Sequence, residues 1–321
     1  MLKLDPQRIR AAAQRLAGQV TRTPLIPFPS DALGLGGGAQ IWLKLENLQP
    51  IGSFKLRGAS NALALADPKQ LAQGVLTASA GNMGQGVAWC ARRMGIRCRV
   101  VVPEHAPQTK LEALERLGAE VTKLPFEDWW QVLLTRELKG HPGFFIHPVS
   151  DAAVMEGNGS IALEILEDLP EVQRVIVPYG GGGLSSGIAA MLREAKPSAE
   201  VFACEVETAA PLAASLAAGS PVPVEYQASF VDGIGGKGVL PEMWPLVQEL
   251  LQGSLVVSLE QVAQAIRLLA ERCRTIAEGA GAASLAAALA HGPAPGPVVC
   301  VVSGGNLDVR VLNRILLGEM P

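Results

Sequence analysis

Residues 175–183 of this chain read Val-Ile-Val-Pro-Tyr-Gly-Gly-Gly-Gly, an apolar run leading into four consecutive glycines, and Leu184 to Lys196 then reads as a helix. A strand that is apolar at consecutive positions has no face to give to water, so both faces must be covered. A helix that follows at once is the connection that supplies such cover in a parallel sheet. The pattern recurs along the chain. Val75 to Thr77 precedes a loop and a helix from Gln85 to Met94, closed by Gly95. Arg99 to Val102, ending at Pro103, precedes a helix from Pro107 to Leu117 and a short strand at Glu120 to Thr122. Asp151 opens a helix through Ile161 to Leu166, and Val201 to Cys204 and Val298 to Val302 are further apolar strands. The expected fold class is α/β, with mostly parallel sheets flanked by helices.

Other segments signal less strongly. Asp5 and Pro6 fit the cap and first position of a helix that buries Ile9, Ala12, Ala13 and Leu16 and stops at Gly18. Ile41, Leu43 and Leu45 alternate with Trp42 and Lys44, as in a strand, and deliver the chain to Gly52-Ser53-Phe54-Lys55-Leu56-Arg57-Gly58-Ala59. That stretch reads as a glycine-flanked junction before a helix from Ala59 to Ala66. Leu259 to Glu278 reads as one long helical stretch, followed by the alanine-rich Ala282 to Ala290. Gly292 to Pro297 reads as a turn into the last strand, and no further domain is expected after Ser303.

At 321 residues the chain has room for about two domains. A net charge of −3 argues against nucleic acid as a partner. Five scattered cysteines, never at C-x-x-C spacing, read as buried free thiols and fit a reducing cytoplasm. The four histidines form no metal-ligand spacing. The N-terminus lacks the apolar core of a signal peptide, and no stretch has the length of uninterrupted apolar sequence that a membrane span needs, so a cytoplasmic, soluble protein is expected.

Four loops carry the chemistry. Gly180 to Gly183, between a strand and a helix, let the backbone approach an anion while free N–H groups at the helix start point at it, which makes a phosphate site. Ser79-Ala80-Gly81-Asn82 sits at an equivalent junction, sized for a carboxylate, although a capped turn explains it as well when taken alone. Lys55 at its junction is either an ordinary surface lysine or a desolvated amine fit to act as nucleophile or Schiff-base partner. Ser303 stands at a strand's carboxyl end, where open α/β sheets bind ligands. Gly233 to Gly238 matches the dinucleotide pattern G-x-G-x-x-G, but it follows no buried strand and no acid lies about twenty residues on, so it reads as a glycine-rich loop.

The stretches S-F-K-L-R-G-A (Ser53 to Ala59), S-A-G-N (Ser79 to Asn82), G-G-G-G-L (Gly180 to Leu184) and S-G-G-N (Ser303 to Asn306) together resemble the fold-type II pyridoxal-phosphate enzymes. They do so in the family's order and over nearly the whole chain, most closely in the serine/threonine dehydratase branch. The resemblance implies two open, twisted, mostly parallel sheets. It implies a large cofactor-binding domain from residues 1–73 and 149–321, a small mobile substrate-facing domain from residues 74–148, and a homodimer. It further implies that Lys55 carries pyridoxal 5'-phosphate through its amine and is catalytic, and that Phe54 packs beside the ring. Asn82 would bond the ring hydroxyl, Gly180, Gly181, Gly182, Gly183 and Leu184 the phosphate, and Ser303 the ring nitrogen. Ser79, Ala80, Gly81, Asn82 and Met83 would receive a small-molecule amino-acid substrate. The implied activity is elimination of water from a 3-hydroxy amino acid of the threonine/serine class to give a 2-oxo acid and ammonia. The alternatives are a racemase of the same family and a non-catalytic cofactor-binding protein; a nicotinamide oxidoreductase rests only on the Gly233 loop.

The chain departs from the family pattern in places. Similar racemases carry a serine where this chain has Ala80, so elimination is expected over racemisation. Met83 replaces a common histidine. Trp129-Trp130 is unusual; at least one indole is expected to pack the small domain, and with Met83 the pair suggests a wall for a substrate larger than serine, such as phenylserine. Glu205 and the Ala209 carbonyl stand where relatives hold a cation, but Pro211 replaces a second acid. That argues against a tight divalent site and leaves room for a monovalent ion.

Overall fold

The computed structural model describes residues 2–29, 40–292, 294 and 296–321; of the turn expected at Gly292 to Pro297, Pro293 and Pro295 lie outside the described residues. The strands, in chain order, are β1 (Leu25–Pro27), β2 (Ile41–Lys44), β3 (Val75–Ala78), β4 (Cys98–Pro103), β5 (Glu120–Leu124), β6 (Phe144–Phe145), β7 (Arg174–Pro178), β8 (Glu200–Val206), β9 (Gly253–Val257) and β10 (Val298–Val301). They form a six-stranded sheet in the order β1-β2-β10-β7-β8-β9 and a four-stranded sheet in the order β5-β4-β3-β6. Only β1 runs antiparallel to its neighbour; every other pair is parallel.

The apolar strands divide their residues between two cores. Val175 and Val177 of β7 and Val299 and Val301 of β10 pack with Ile161 and Ile165 of the helix Ala152–Asp168 and with Ile188 and Leu192 of the helix Gly183–Ala195. Ile176, Val298 and Cys300, on the opposite face, pack with Ala282, Ala283 and Leu285 of the helix Gly279–Ala290 and with Ile266 and Leu269 of the helix Leu259–Cys273. Each fully buried valine or isoleucine contributes about 1.5–3 kcal/mol, which is why these strands carry no polar alternation. The smaller sheet repeats the arrangement. Val100 and Val102 face Val87, Leu111 and Leu114, while Leu76, Ala78 and Val101 face Val132, Trp129 and Trp130 of the helix Phe126–Thr135.

Several element boundaries differ from expectation, among them the helix expected from Gln85, which begins at Asn82, and two others matter for the site. The helix expected to begin at Ala59 begins at Lys55 and runs to Leu65. Gly58 does not break it: a Cβ there would lie 2.6 Å from Val154 Cγ1, so this glycine lets the helix Ala152–Asp168 approach. The stretch expected to be helical from Leu259 to Glu278 ends at Cys273, where Arg274 turns left-handed at φ 53°, and Glu278 becomes the residue that opens the next helix.

Beneath the lysine helix lies a buried charge network. Arg57 donates to both oxygens of Glu46 (2.8 Å each) and to both of Glu164 (2.7 and 2.9 Å). Lys44 donates to Glu164 and to the Thr23 carbonyl, at 2.6 Å each. Among the described residues no helix is long and apolar enough to cross a membrane.

Candidate active site

The carboxyl ends of β3, β7 and β10 converge on a cavity of about 610 Å³. All thirteen residues expected to hold cofactor or substrate line it: Phe54, Lys55, Ser79 to Met83, Gly180 to Leu184 and Ser303; of the other candidates Trp129 lines it, and Trp130, Glu205 and Ala209 do not. Segments far apart in the chain are stitched together around it. The Phe54 N–H donates to the Ser303 carbonyl at 3.0 Å, and the Gly305 N–H donates to the Gly52 carbonyl at 2.9 Å.

Lys55 is the first residue of its helix, and its Nζ donates to the Pro148 carbonyl at 2.9 Å and lies 5.1 Å from the Phe54 ring centre. The turn that offers this carbonyl is fixed by His147, whose buried Nδ1 accepts from the N–H groups of Val149 (3.1 Å) and Ser150 (2.8 Å). Burial and the nearby cations Arg136 and Lys55 pull His147 down to about 3, so it stays a neutral acceptor. Burial likewise lowers Lys55 to about 8, against a smaller opposing pull from the Glu278 carboxylate. An amine near that value is partly neutral at ordinary pH and able to act as a base or nucleophile.

The glycine loop is shaped from behind. A Cβ on Gly181 would lie 2.5 Å from Val149 Cγ1, and Gly182 takes a left-handed φ of 90° against Tyr179 and Val247. The loop is thereby pressed onto Val149, and the 13-residue helix Gly183–Ala195 starts at the cavity wall with its N–H groups unspent. A second helix of 13 residues, Asn82–Met94, begins at the serine-alanine-glycine loop and offers another such terminus.

Glu278 also lines the cavity, and it was not among the residues expected there. It is 7 % exposed, and its Oε1 accepts from Asn82 Nδ2 at 2.8 Å. Burial, reinforced by Asp232, raises its carboxyl to about 7. The one available signal was Glu278-Gly279-Ala280-Gly281, an acid directly before small residues that could open a helix, but it lay inside a stretch with helical periodicity.

At the cavity mouth the helix Phe126–Thr135 supplies Phe126 and Trp129. Trp130 is not part of the lining; it stacks on Phe126 with centroids 6.5 Å apart and packs against the small sheet. Tyr226, from the irregular segment that also carries Gly233, lines the mouth as well. Gly233 to Gly238 follows no strand, and the Gly233 carbonyl abuts Gly180. Lys110 and Asp232, both in the lining, are paired at 2.6 Å. Glu205 is buried, and its carboxylate accepts from the N–H groups of Leu212 and Ala213 (2.8 Å each) and from the Ser254 hydroxyl (2.6 Å).

Comparison with known proteins adds to this geometry. Residues 16–304 match the family described as pyridoxal-phosphate dependent enzyme. The chain is 39% identical over 312 residues to the L-threonine ammonia-lyase of Thermotoga maritima, covering 96% of this chain and 77% of that protein. It is 36% identical over 306 residues to the catabolic L-threonine dehydratase of Staphylococcus aureus, covering 92% and 87%. The structure of maize serine racemase superposes with a TM-score of 0.90 at 31% identity, covering 99% of this chain and 98% of that one.

Proposed function

This chain belongs to the family of pyridoxal-phosphate-dependent enzymes, and from that premise we propose that its cavity removes water from a 3-hydroxy amino acid of the threonine/serine class, leaving a 2-oxo acid and ammonia. The observation that carries the reading is the enclosed Lys55 amine, bonded to a single carbonyl, in one cavity with both helix N-termini and Ser303.

The residues fit the cofactor. Lys55 would hold it, the Gly180 to Gly183 loop would take its phosphate, Asn82 its ring oxygen and Ser303 its ring nitrogen, with Phe54 beside the ring. When bound, pyridoxal phosphate withdraws electrons and so makes the α-proton of an attached amino acid removable. The chain's own groups do the rest. The N–H groups at Ser79 to Asn82 hold the substrate carboxylate. The Lys55 Nζ, lowered to about 8, takes the α-proton. The β-hydroxyl leaves with one proton as water, and the released enamine takes up one water to become the 2-oxo acid and ammonia. Ser303 is neutral, so it does not hold the ring nitrogen protonated as a carboxylate would, which favours prompt loss of the β-substituent. Ala80 carries no hydroxyl that could return a proton from the opposite face, which sets elimination above racemisation.

A second reading concerns the side chain that fits. Among the phenylalanine, tryptophan and tyrosine side chains of the described residues, only Phe126 (40 % exposed) and Tyr226 (46 %) are exposed, and both line this cavity. Apolar surface left open at a binding site favours an apolar ligand group, so the substrate class extends to hydroxy amino acids with a bulky or aryl β-substituent.

The test is release of 2-oxo acid and ammonia by the cofactor-loaded protein from L-serine, L-threonine, 3-hydroxyaspartate and phenylserine. Release from at least one is expected. A yellow protein that releases nothing from any of them, yet exchanges the α-proton in deuterated water, would move the assignment to racemisation.

A further inference from the structure

Asn306, in the S-G-G-N stretch, spends both hydrogens of its Nδ2: one on the Ile51 carbonyl at 2.8 Å and one on Asn82 Oδ1 at 2.7 Å. A backbone carbonyl can only accept, so this pairing fixes which way the Asn306 amide faces. Asn82 Oδ1 is then an acceptor and Asn82 Nδ2 a donor, and that donor reaches Glu278 Oε1 at 2.8 Å. Polarity thus runs from one unflippable carbonyl through two amides to a carboxylate. One hydrogen of Asn82 Nδ2 remains unspent, and Asn82 lines the cavity.

The surroundings are shaped for this chain of bonds. A Cβ on Gly304 would lie 2.4 Å from Glu278 Oε1 and 3.2 Å from Asn82 Nδ2, so glycine there is what admits the carboxylate. Glu278 has no cation within salt-bridge distance among the described residues: Lys110 is paired with Asp232, and Lys55 donates to Pro148. A buried carboxylate without a cation is costly for stability alone, and in a cleft it marks a functional group.

We propose that Glu278 and Asn306 are positioning residues that hold the Asn82 amide with its remaining N–H toward the ring oxygen of the pyridoxal cofactor. The proposal rests on the reading of Asn82 as a cofactor contact. Released from the clamp, the Asn82 amide can turn over and set its oxygen against the ring oxygen, two acceptors facing each other.

The test uses the full-length protein stripped of cofactor and titrated with pyridoxal phosphate, alone and across pH, with visible absorbance as the readout. N306D cannot donate to Asn82. It is expected to weaken cofactor binding about tenfold and to move the pH midpoint of the visible band, while in an N82A background it changes either quantity less than about twofold. Glu278→Leu in the same cycle gives a second route should N306D not fold. Equal effects with and without Asn82, or no effect in the wild-type background, overturn the proposal. An N82A protein with wild-type binding and absorbance overturns the reading of Asn82 and the clamp with it. Both readouts stand whether or not the loaded protein releases a 2-oxo acid, so failure of the lyase assignment is separable.

Discussion

The Lys55 amine donates to the Pro148 carbonyl at 2.9 Å, and this is its only hydrogen bond among the described residues. No carboxylate reaches the amine at hydrogen-bond distance among the described residues, so burial outweighs the smaller pull of Glu278 and the value falls to about 8. K55A should therefore keep the fold, lose at least about a thousandfold in 2-oxo acid release, and leave no borohydride-trapped adduct in a mass spectrum of the tryptic peptide. Wild-type turnover by K55A would mean that another base takes the α-proton.

The glycine loop depends on one side chain behind it. Because a Cβ on Gly181 would meet Val149 Cγ1 at 2.5 Å, G181A should push the loop into the phosphate site and weaken cofactor binding by about tenfold or more. V149A removes the obstructing methyl groups, so G181A/V149A should recover most of the loss. Titration of the three apoproteins with pyridoxal phosphate decides the matter, and a double variant no better than G181A would show that Val149 is not the limiting contact.

Arg57 sits two residues beyond Lys55, only 1 % exposed, and neutralises Glu46 and Glu164 together. R57M leaves buried carboxylates with too little positive charge and is expected to cost about 3–5 kcal/mol, read as a lower urea midpoint at unchanged slope. Lys44 retains its contact with Glu164, so the loss should fall mainly on the Glu46 side.

Much of this architecture was legible because backbone physics writes it into the sequence. Val175 to Pro178 needs cover on both faces, and four glycines after it admit few conformations other than a tight strand-to-helix junction. What escaped was decided by tertiary packing. Period-two alternation alone would put Lys44 in water, yet the sheet is covered on that face and the lysine is fully buried against Glu164. Gly58 looks like a helix breaker but is a contact point between helices. Glu278 was hidden because Thr275-Ile276-Ala277 continues a helical pattern and the break falls on Arg274, a residue type that carries no turn signal. Asn306 could be seen as part of a motif, but its two donations depend on segments more than 200 residues away in the chain.

Glu278 should also leave a trace in the pH dependence of stability. The folded protein holds this proton up to about 7, whereas an unfolded chain releases it near 4.5. Between those values the native state binds more protons than the unfolded one, so stability falls as pH rises through the window and levels off above it. The shift corresponds to about 3 kcal/mol at most. E278Q removes the group, so the stability of apo E278Q relative to the apo wild type should grow from pH 4.5 to pH 8. Urea unfolding of both apoproteins at those two pH values measures it; a difference independent of pH would mean that Glu278 is ionised throughout.

The exposed rings at the mouth separate two roles that predict different kinetics. If Phe126 and Tyr226 contact the β-substituent, F126A and Y226A should each lower kcat/KM for phenylserine by about 10–200-fold, the range that a lost apolar contact supplies, while L-threonine turnover changes little because its methyl group offers them almost no surface. If the rings instead serve only to contact each other across the mouth, both substrates should suffer alike. Trp129 provides the internal control. Its indole lines the cavity yet also packs on Val132 and Leu133 of the small sheet's core, so W129A should reduce stability as well as kcat/KM, whereas the exposed Phe126 and Tyr226 can be trimmed at little cost to the fold. Side-by-side kinetics on the two substrates, with thermal unfolding of each variant, distinguish a side-chain wall from a closing contact.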